Sequence, residues 1–437
     1  MGVNAVRRRQ FLQVVSAGAL GVFGRHARAS PESTRTKPTV IVVGGGFAGS
    51  QCALTLRRSD PSIAVVLIDP DARYVTCPMS NSVIVGLRSL ESITVPRSGL
   101  EHAGVRVIRD RVDGVDVRRR RLRLAGGAVL VYDKLVLAAG IRFLWGRPQG
   151  YDEAATRLMP HAWQAGVQTE MLAAQLRRMR DGGVVAISVP AGPMRCPPGP
   201  FERASLIANY LKQHKPRSKV LIFDANNQFP RQDSFNEAWR NLYPGMIDWI
   251  PVVNDGAVVR VEPAKMTLYT SEHTHRVDVA NIIPPQAPAW LAVEAGLASQ
   301  HGWCPVVPDT FESTLIREVH VIGDACIADP MPKSASAANC EAKQCALAIV
   351  AAFRGDPPPE PRFDSVCYSL LAPGRALSIH GRFRRADGAI EKLPDSQAAI
   401  SRTGDLDAYA AEEAQNAENW YAGIVADSFG TGSGARA

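Results

Sequence analysis

The sequence predicts an α/β protein, with two Rossmann-like three-layer domains followed by a smaller α+β segment at the C-terminal end. Three observations carry that reading. "TVIVVGGGFAGSQCALTLRR" (39–58) reads as a buried strand, a glycine-rich loop and an amphipathic helix, and "AVVLIDPD" (64–71) is the next strand. A second strand–loop–helix–strand unit starts at the apolar run Val184–Val189, continues through "FERASLIANYLKQ" and closes on "KVLIFDA" (219–225). Two further apolar strands end in small residues, "YDKLVLAAG" (132–140) and "VHVIGDACIADP" (319–330). Strands alternating with helices in this way build parallel sheets.

Composition bounds the rest. The chain has 437 residues, 46% hydrophobic and 21% charged, which describes an ordinary globular protein of two or three domains. The formal net charge is +8, but Arg7, Arg8, Arg9, Arg25 and Arg28 all precede residue 30 in a stretch without acids. The remainder is only mildly basic, and no nucleic-acid partner is implied. That first stretch carries "RRRQFLQ", an apolar run from Phe11 to Phe23 and the small-x-small site "ARA" at 27–29. These are the parts of a twin-arginine signal peptide over 1–29, since the run is shorter than the ~20 residues of a membrane span. The periplasm is the expected location, a compartment in which a cysteine pair can persist as a disulfide. No later run is long enough to span a bilayer. The eight cysteines show no zinc-type spacing, so no metal site is expected, and C-x-x-C-H is absent, so no haem attaches to this chain.

Gly44, Gly46 and Gly49 match G-x-G-x-x-G. The first permits the tight turn, the second lets the backbone approach a pyrophosphate, and the third lets helix pack on strand. The helix N-terminus offers amides and a positive dipole end to phosphates. Asp69 lies ~20 residues on, at the end of the second strand, where an acid holds ribose hydroxyls. The order of this fingerprint, "LVLAAG" ending at Gly140, and "VIGDA" resembles that of two-dinucleotide flavoproteins similar to glutathione reductase. The resemblance implies FAD, with Asp324 on its ribityl chain.

The middle domain of such flavoproteins binds a nicotinamide dinucleotide through its own glycine loop. Here the corresponding loop is "PAGPMRCPPGP" (190–200), in which only Gly192 and Gly199 remain among Pro190, Pro193, Pro197, Pro198 and Pro200. Proline removes amide donors and fixes φ, the opposite of what a phosphate cradle needs. A nicotinamide donor is therefore not expected, and Cys196 is a candidate entry point for electrons. The domain reading that follows is 36–149 and 282–357 for FAD, 150–281 for a nucleotide-free middle domain, and 358–437 for an interface domain. The last begins after the proline run "GDPPPEPR" (355–362), where the pattern becomes less alternating and more irregular.

Six stretches carry a more specific resemblance: "RYVTCPMSN", "PHAWQAGVQT", "RCPPGPFERAS", "VHVIGDACIADPMPKSAS", "CYSLLAP" and "NWYAGIVADSFG". On these the chain is similar to the flavoprotein subunits of flavocytochrome c sulfide dehydrogenases. The resemblance implies sulfide as substrate and a cytochrome c subunit or soluble cytochrome c as partner, with haem only there. It implies that FAD is held covalently through Cys77 and that Cys196 and Cys367 form a redox-active disulfide. Spacing alone could not have paired them among eight cysteines. Hydrosulfide would attack that bridge, giving a persulfide and a thiolate; which sulfur is attacked stays open. Glu202, six residues after Cys196, matches a glutamate that could move protons, or it is an acid favoured by a helix start. Trp420 matches a tryptophan beside the exposed flavin edge, or it is a core aromatic. Cys52, Cys340 and Cys345 fall on expected helices as packing residues; Cys304 and Cys326 fall in the family-like stretches "GWCPV" and "GDAC", as packing residues or with a redox role. His161, His273, His275 and His320 read as surface or satisfied core groups. Three rival functions share parts of this pattern: a sulfide:quinone oxidoreductase, a regulatory flavoprotein that reduces a thiol on a sulfur-oxidation partner, and a nicotinamide-dependent disulfide reductase.

Overall fold

In the computed structural model of the chain, residues 37–394 and 406–431 are described, so the signal-peptide reading of 1–29 lies outside the described residues. A five-stranded parallel sheet takes the order Val319–Val321, Lys134–Leu137, Thr39–Val43, Ala64–Ile68, Arg106–Ile108. Its central strands are β-branched runs, TVIVV and AVVLI, in which four of the five residues are buried. Such runs suit a parallel sheet covered on both faces. Helix Phe47–Ser59 packs closely along helix Ala335–Arg354 because both carry Ala, Ser and Cys where they meet. Cys52 and Cys345 touch there, both with no exposed surface. The longer helix starts at Ser334, whose Oγ accepts the Ala337 N–H at 3.2 Å, and stops at Gly355 in the left-handed region.

A second parallel sheet runs Ile247–Ile250, Lys219–Asp224, Val184–Val189, Val279–Ile282. The helix after the proline loop spans Gly199–His214, so it begins two residues before "FERAS". Pro200 is tolerated there because the first helical positions have no intrahelical use for an N–H. Phe201, Ala204, Ile207, Ala208 and Leu211 are buried in the middle-domain core, each large apolar side chain contributing about 1.5–3 kcal/mol by transfer from water.

The C-terminal region differs from its irregular expectation. Arg362–Ala372 and Arg375–Ala386 form a long antiparallel hairpin, extended by Ala389–Lys392. The first strand alternates between exposed and buried only at its start and is largely buried at its end. Helix Gly199–His214 and helix Ala335–Arg354 pack against it, and the last helix, Leu406–Phe429, lies on the hairpin. Covering both faces of a strand erases the period-two signal that would have announced it. Among the described residues, no helix is long and apolar enough to cross a membrane.

Candidate active site

The fingerprint loop is shaped by close backbone approach. Gly44 has φ +99°, and a Cβ there would lie 2.5 Å from the Ala138 oxygen; at Gly49 it would lie 1.8 Å from the Gly44 oxygen. Gly46 is different, since a Cβ would meet only the Tyr74 hydroxyl, at 3.5 Å, an ordinary contact. Protein packing thus requires the first and third glycines and leaves the second free for close approach of a ligand. Helix Phe47–Ser59 has no side-chain cap on its first amides. Asp69 accepts the Gly45 N–H at 2.5 Å and the Asp71 N–H at 2.9 Å. Arg97, 2% exposed, donates through Nη1 to the Gly45 carbonyl and pairs through Nη2 with Asp69 Oδ1 at 3.0 Å. A buried arginine beside an uncapped helix start and a glycine that packing does not require fits a bound dinucleotide phosphate. Arg97 was missed in the sequence because no motif contains it; residues 45, 69 and 97 meet only in the fold.

Gly140 sits at φ +67° after strand Lys134–Leu137. Asp324 occupies the turn Gly323–Ala325, its carboxyl raised by burial and opposed by Arg195, 3.9 Å away. Beneath this turn Glu341 accepts the Gly323 N–H at 2.6 Å, and burial raises it to about 7.

Cys196 follows Arg195, the residue that reaches Asp324. Its φ is +51°, a left-handed conformation that costs a non-glycine residue about 1–3 kcal/mol and needs surrounding structure to hold it. That structure is visible in the loop's own amides. Gly192 N–H goes to Asn226, Arg195 N–H to Gln286 at 2.9 Å, Cys196 N–H to the Lys333 carbonyl at 2.8 Å, and Gly199 N–H to the Cys196 carbonyl at 2.9 Å. The five prolines have none to give. Few amides remain with which this loop could cradle a pyrophosphate.

The fold brings the widely separated candidates together. Burial pushes the Cys196 thiol well up, and the neighbouring charges of Cys367 and Glu202 push it further, with Arg195 opposing. Burial and Glu202 likewise raise Cys367, against a hydrogen bond with Ser334. Cys77 lies within electrostatic reach of Tyr74, Arg195, Cys196 and Arg203. Cys77, Cys196, Glu202, Asp324 and Cys367 are all partly accessible. All eight cysteines are free, so the expected Cys196–Cys367 bridge is not formed in this structure, although the two thiols are neighbours.

Glu202 is raised to about 7 by burial, partly offset by hydrogen bonds from Asn81 and the Leu370 backbone. A helix dipole alone would lower it, so desolvation governs this carboxyl. Trp420 is partly buried on the last helix, 5.8 Å from the Tyr368 ring next to Cys367. The last helix also reaches the Cys77 segment through Tyr421, whose hydroxyl lies 2.9 Å from Thr76 Oγ1.

The remaining cysteines and histidines keep to structural settings. Cys52 and Cys345 are fully buried on helices, Cys340 bonds the Asp364 carbonyl, and Cys304 pairs in register with Cys326. His161 is buried and lowered to about 3 by burial and two arginines, its Nδ1 accepting the Trp163 N–H. His320 is bonded to the Thr310 carbonyl, and His275 rests on the Phe223 ring. His273 lies near Asp255 and Glu272, but Asp255 is already engaged by Thr270 and by the Ser271 and Glu272 N–H groups.

Residues 38–159 match the pyridine nucleotide-disulphide oxidoreductase family, the class that the glycine cradle and parallel sheet define. Residues 169–284 match the central domain of the sulfide dehydrogenase (flavocytochrome c) flavoprotein chain, and 359–429 match the flavocytochrome c sulphide dehydrogenase flavin-binding domain. The chain belongs to this flavoprotein family and is an oxidoreductase that uses FAD. The curated flavoprotein chain from Chlorobaculum thiosulfatiphilum is 57% identical over 44 residues, 10% of this chain and 92% of that one. Mitochondrial sulfide:quinone oxidoreductase from Mus musculus is 21% identical over 317 residues, 68% of this chain and 67% of that one. In fold, the sulfide:quinone oxidoreductase structure from Aquifex aeolicus is similar with a TM-score of 0.70 at 18% identity, covering 89% of this chain and 92% of that one.

Proposed function

We propose that this chain is the flavoprotein subunit of a periplasmic sulfide dehydrogenase, oxidising sulfide at Cys196 and Cys367 and passing electrons through FAD to a cytochrome c. The observation that supports it most is Cys196 in a left-handed conformation, on a loop whose amides are occupied, beside Cys367 and Glu202. Two domain readings belong to the same proposal: FAD bound by 36–149 and 282–357, and a nucleotide-free middle domain over 150–281.

In the oxidised enzyme, hydrosulfide sulfur attacks one sulfur of a Cys196–Cys367 bridge. A new S–S bond forms as a cysteine persulfide, the old S–S bond breaks, and the other cysteine leaves as thiolate. The persulfide proton passes to Glu202, whose burial holds its pKa close to neutral, where a general base works best. Arg195 places a cation beside both sulfur and Asp324, favouring the anionic nucleophile. Gly44, Gly46, Gly49, Asp69, Arg97, Gly140 and Asp324 would hold FAD, and Cys77 would tether it. When bound, FAD supplies an acceptor of two electrons that also releases them singly, as a haem partner requires. Trp420 belongs to the face the partner would meet.

The test is anaerobic stopped-flow mixing of the FAD-loaded protein with sulfide or NADH, followed by a c-type cytochrome or a soluble quinone. Sulfide should bleach the flavin, NADH should not, and cytochrome should reoxidise it. Reoxidation by quinone alone would favour the quinone-linked reading, which the similar oxidoreductases above keep in view. Acid precipitation should leave yellow colour on the polypeptide, and Cys77→Ser should release it.

A further inference from the structure

Glu202 does not sit alone. Its Oε2 accepts a hydrogen bond from Asn81 Nδ2 at 3.2 Å, and that amide group also donates to the Gly199 carbonyl at 3.2 Å. Asn81 belongs to the short helix Ser80–Ile84, four residues after Cys77, and is 8% exposed. An asparagine amide can be turned end for end, presenting an acceptor where it had a donor. Here the orientation is set by a chain of buried partners. Arg203 Nε donates to Asn81 Oδ1 at 2.9 Å, so the oxygen faces the guanidinium and the nitrogen faces Glu202.

Arg203 is fixed in turn. It is 2% exposed, lies 5.0 Å over the Trp163 ring, and donates to the carbonyls of His161 at 3.1 Å and Ala162 at 2.6 Å. It also donates to Asn281 Oδ1 at 2.7 Å. Asn281 cannot flip either, because its Nδ2 donates to the Pro160 carbonyl at 2.8 Å and the His161 carbonyl at 2.7 Å. The Pro160 and His161 carbonyls thus determine Asn281, Asn281 with the His161 and Ala162 carbonyls determines Arg203, and Arg203 determines Asn81. Nothing in this chain of bonds touches the sulfurs.

We infer that Asn81 is a positioning residue for proton transfer, locked by Arg203 so that it always presents a donor to the Glu202 carboxylate. This rests on the reading of Glu202 as the proton acceptor. A hydrogen bond to the charged form of an acid favours ionisation, so Asn81 opposes the desolvation that raises Glu202 and keeps it usable as a base. The charged and titratable groups facing Glu202 are Arg203 on its own helix, Cys196 on the preceding loop and Cys367 on strand Arg362–Ala372. That strand also contributes the Leu370 backbone hydrogen bond. Among the described residues, only Asn81 offers Glu202 a side-chain donor, and the fold predetermines its direction.

The test compares pH profiles of sulfide-driven flavin reduction in the holoenzyme, where sulfide's own ionisation is common to every variant. Asn81→Asp keeps an oxygen for Arg203 and puts a carboxylate oxygen where the donor was. Its Glu202-dependent limb should move toward alkaline pH by about one unit or more, with about a tenfold loss of rate below the new midpoint. Asn81→Ser, which removes the amide donor without adding charge, should move the limb the same way by less and serves if the aspartate variant does not fold. The infrared carbonyl band of protonated Glu202, assigned by its loss in Glu202→Gln, should titrate in step with the rate. If Glu202→Gln removes the limb while both Asn81 variants keep the wild-type midpoint, the role given to Asn81 is wrong and that of Glu202 stands. If Glu202→Gln keeps the wild-type profile, the reading of Glu202 fails and this inference fails with it.

Discussion

The loop at 44–46 and the loop at 190–198 occupy the same place in two strand–loop–helix units, and their backbones do different things. The first is glycine, closes against the Ala138 backbone and leads into helix Phe47–Ser59. The second holds four prolines in nine residues, and its amides at 192, 195 and 196 bond to protein atoms. In the first loop Gly44 and Gly45 donate to the Ile68 carbonyl and to Asp69, and the donors left for phosphate are those at the start of the helix that follows. A loop relieved of that task can commit its amides to holding a reactive side chain, here Cys196 at φ +51°. The contrast explains how one fold can place a nucleotide at one turn and a thiol at the other.

The largest effect that sharpens this contrast is on the sulfur side. Cys367→Ala should slow sulfide-driven flavin reduction by about a thousandfold or more, while dithionite still bleaches the flavin and the reduced protein still passes electrons to cytochrome c. A bridge acting only as a staple would contribute about 4–5 kcal/mol to stability over so long a loop. It would leave the sulfide rate nearly intact and lower Tm, a result that would break the contrast.

Glycine substitutions separate the two loops next. Gly49→Ala places a Cβ 1.8 Å from the Gly44 oxygen, whereas Gly192→Ala meets nothing within 4 Å. The first should cost several kcal/mol or prevent FAD loading, measured as flavin-to-protein ratio and Tm; overpacking of this kind typically costs about 1–3 kcal/mol or more. The second should keep full flavin and near-normal sulfide kinetics. Equal losses from both would mean that the proline loop also needs close approach by a ligand.

Two carboxyls raised by burial stand near these elements, Glu341 under the Gly323 turn and Glu202 after Cys196. Burial raises Glu341 from 4.5 to about 7, so the folded state holds this proton more tightly than the unfolded chain. Its contribution is fully present below about pH 4.5 and is lost as pH rises through about 7. Glu341→Gln should therefore gain stability relative to wild type between pH 5 and pH 8, by about 1–3 kcal/mol. Thermal melts at the two pH values check this, and an unchanged difference would contradict it.

What the sequence showed and concealed follows the same physics. The strands at 39–43, 64–68 and 184–189 were legible because both faces are buried and their residues are β-branched. The glycine spacing was legible because backbone approach at Gly44 and Gly49 tolerates no other residue. The hairpin 362–386 was not, since alternation is confined to short stretches at 362–365 and 380–384 and the rest of the first strand is covered on both faces. Arg97, Asn81 and Arg203 were not, because each acts through partners up to 122 residues away and sits in no local pattern. The meeting of Cys196 with Cys367 was legible only through family resemblance; helix Gly199–His214 packing on strand Arg362–Ala372 supplies its physical cause.

Differential alkylation of the FAD-loaded protein, followed by peptide mass spectrometry before and after one equivalent of sulfide, tests the central claim most directly. Before sulfide, the peptides carrying Cys196 and Cys367 should appear as one disulfide-linked pair. After it, the link should be gone, with an added sulfur atom on one of the two cysteines and an alkylated thiol on the other. Protein in which both residues are alkylated before sulfide is added, yet which still reduces its flavin with sulfide at full rate, would show that electrons do not enter through this pair.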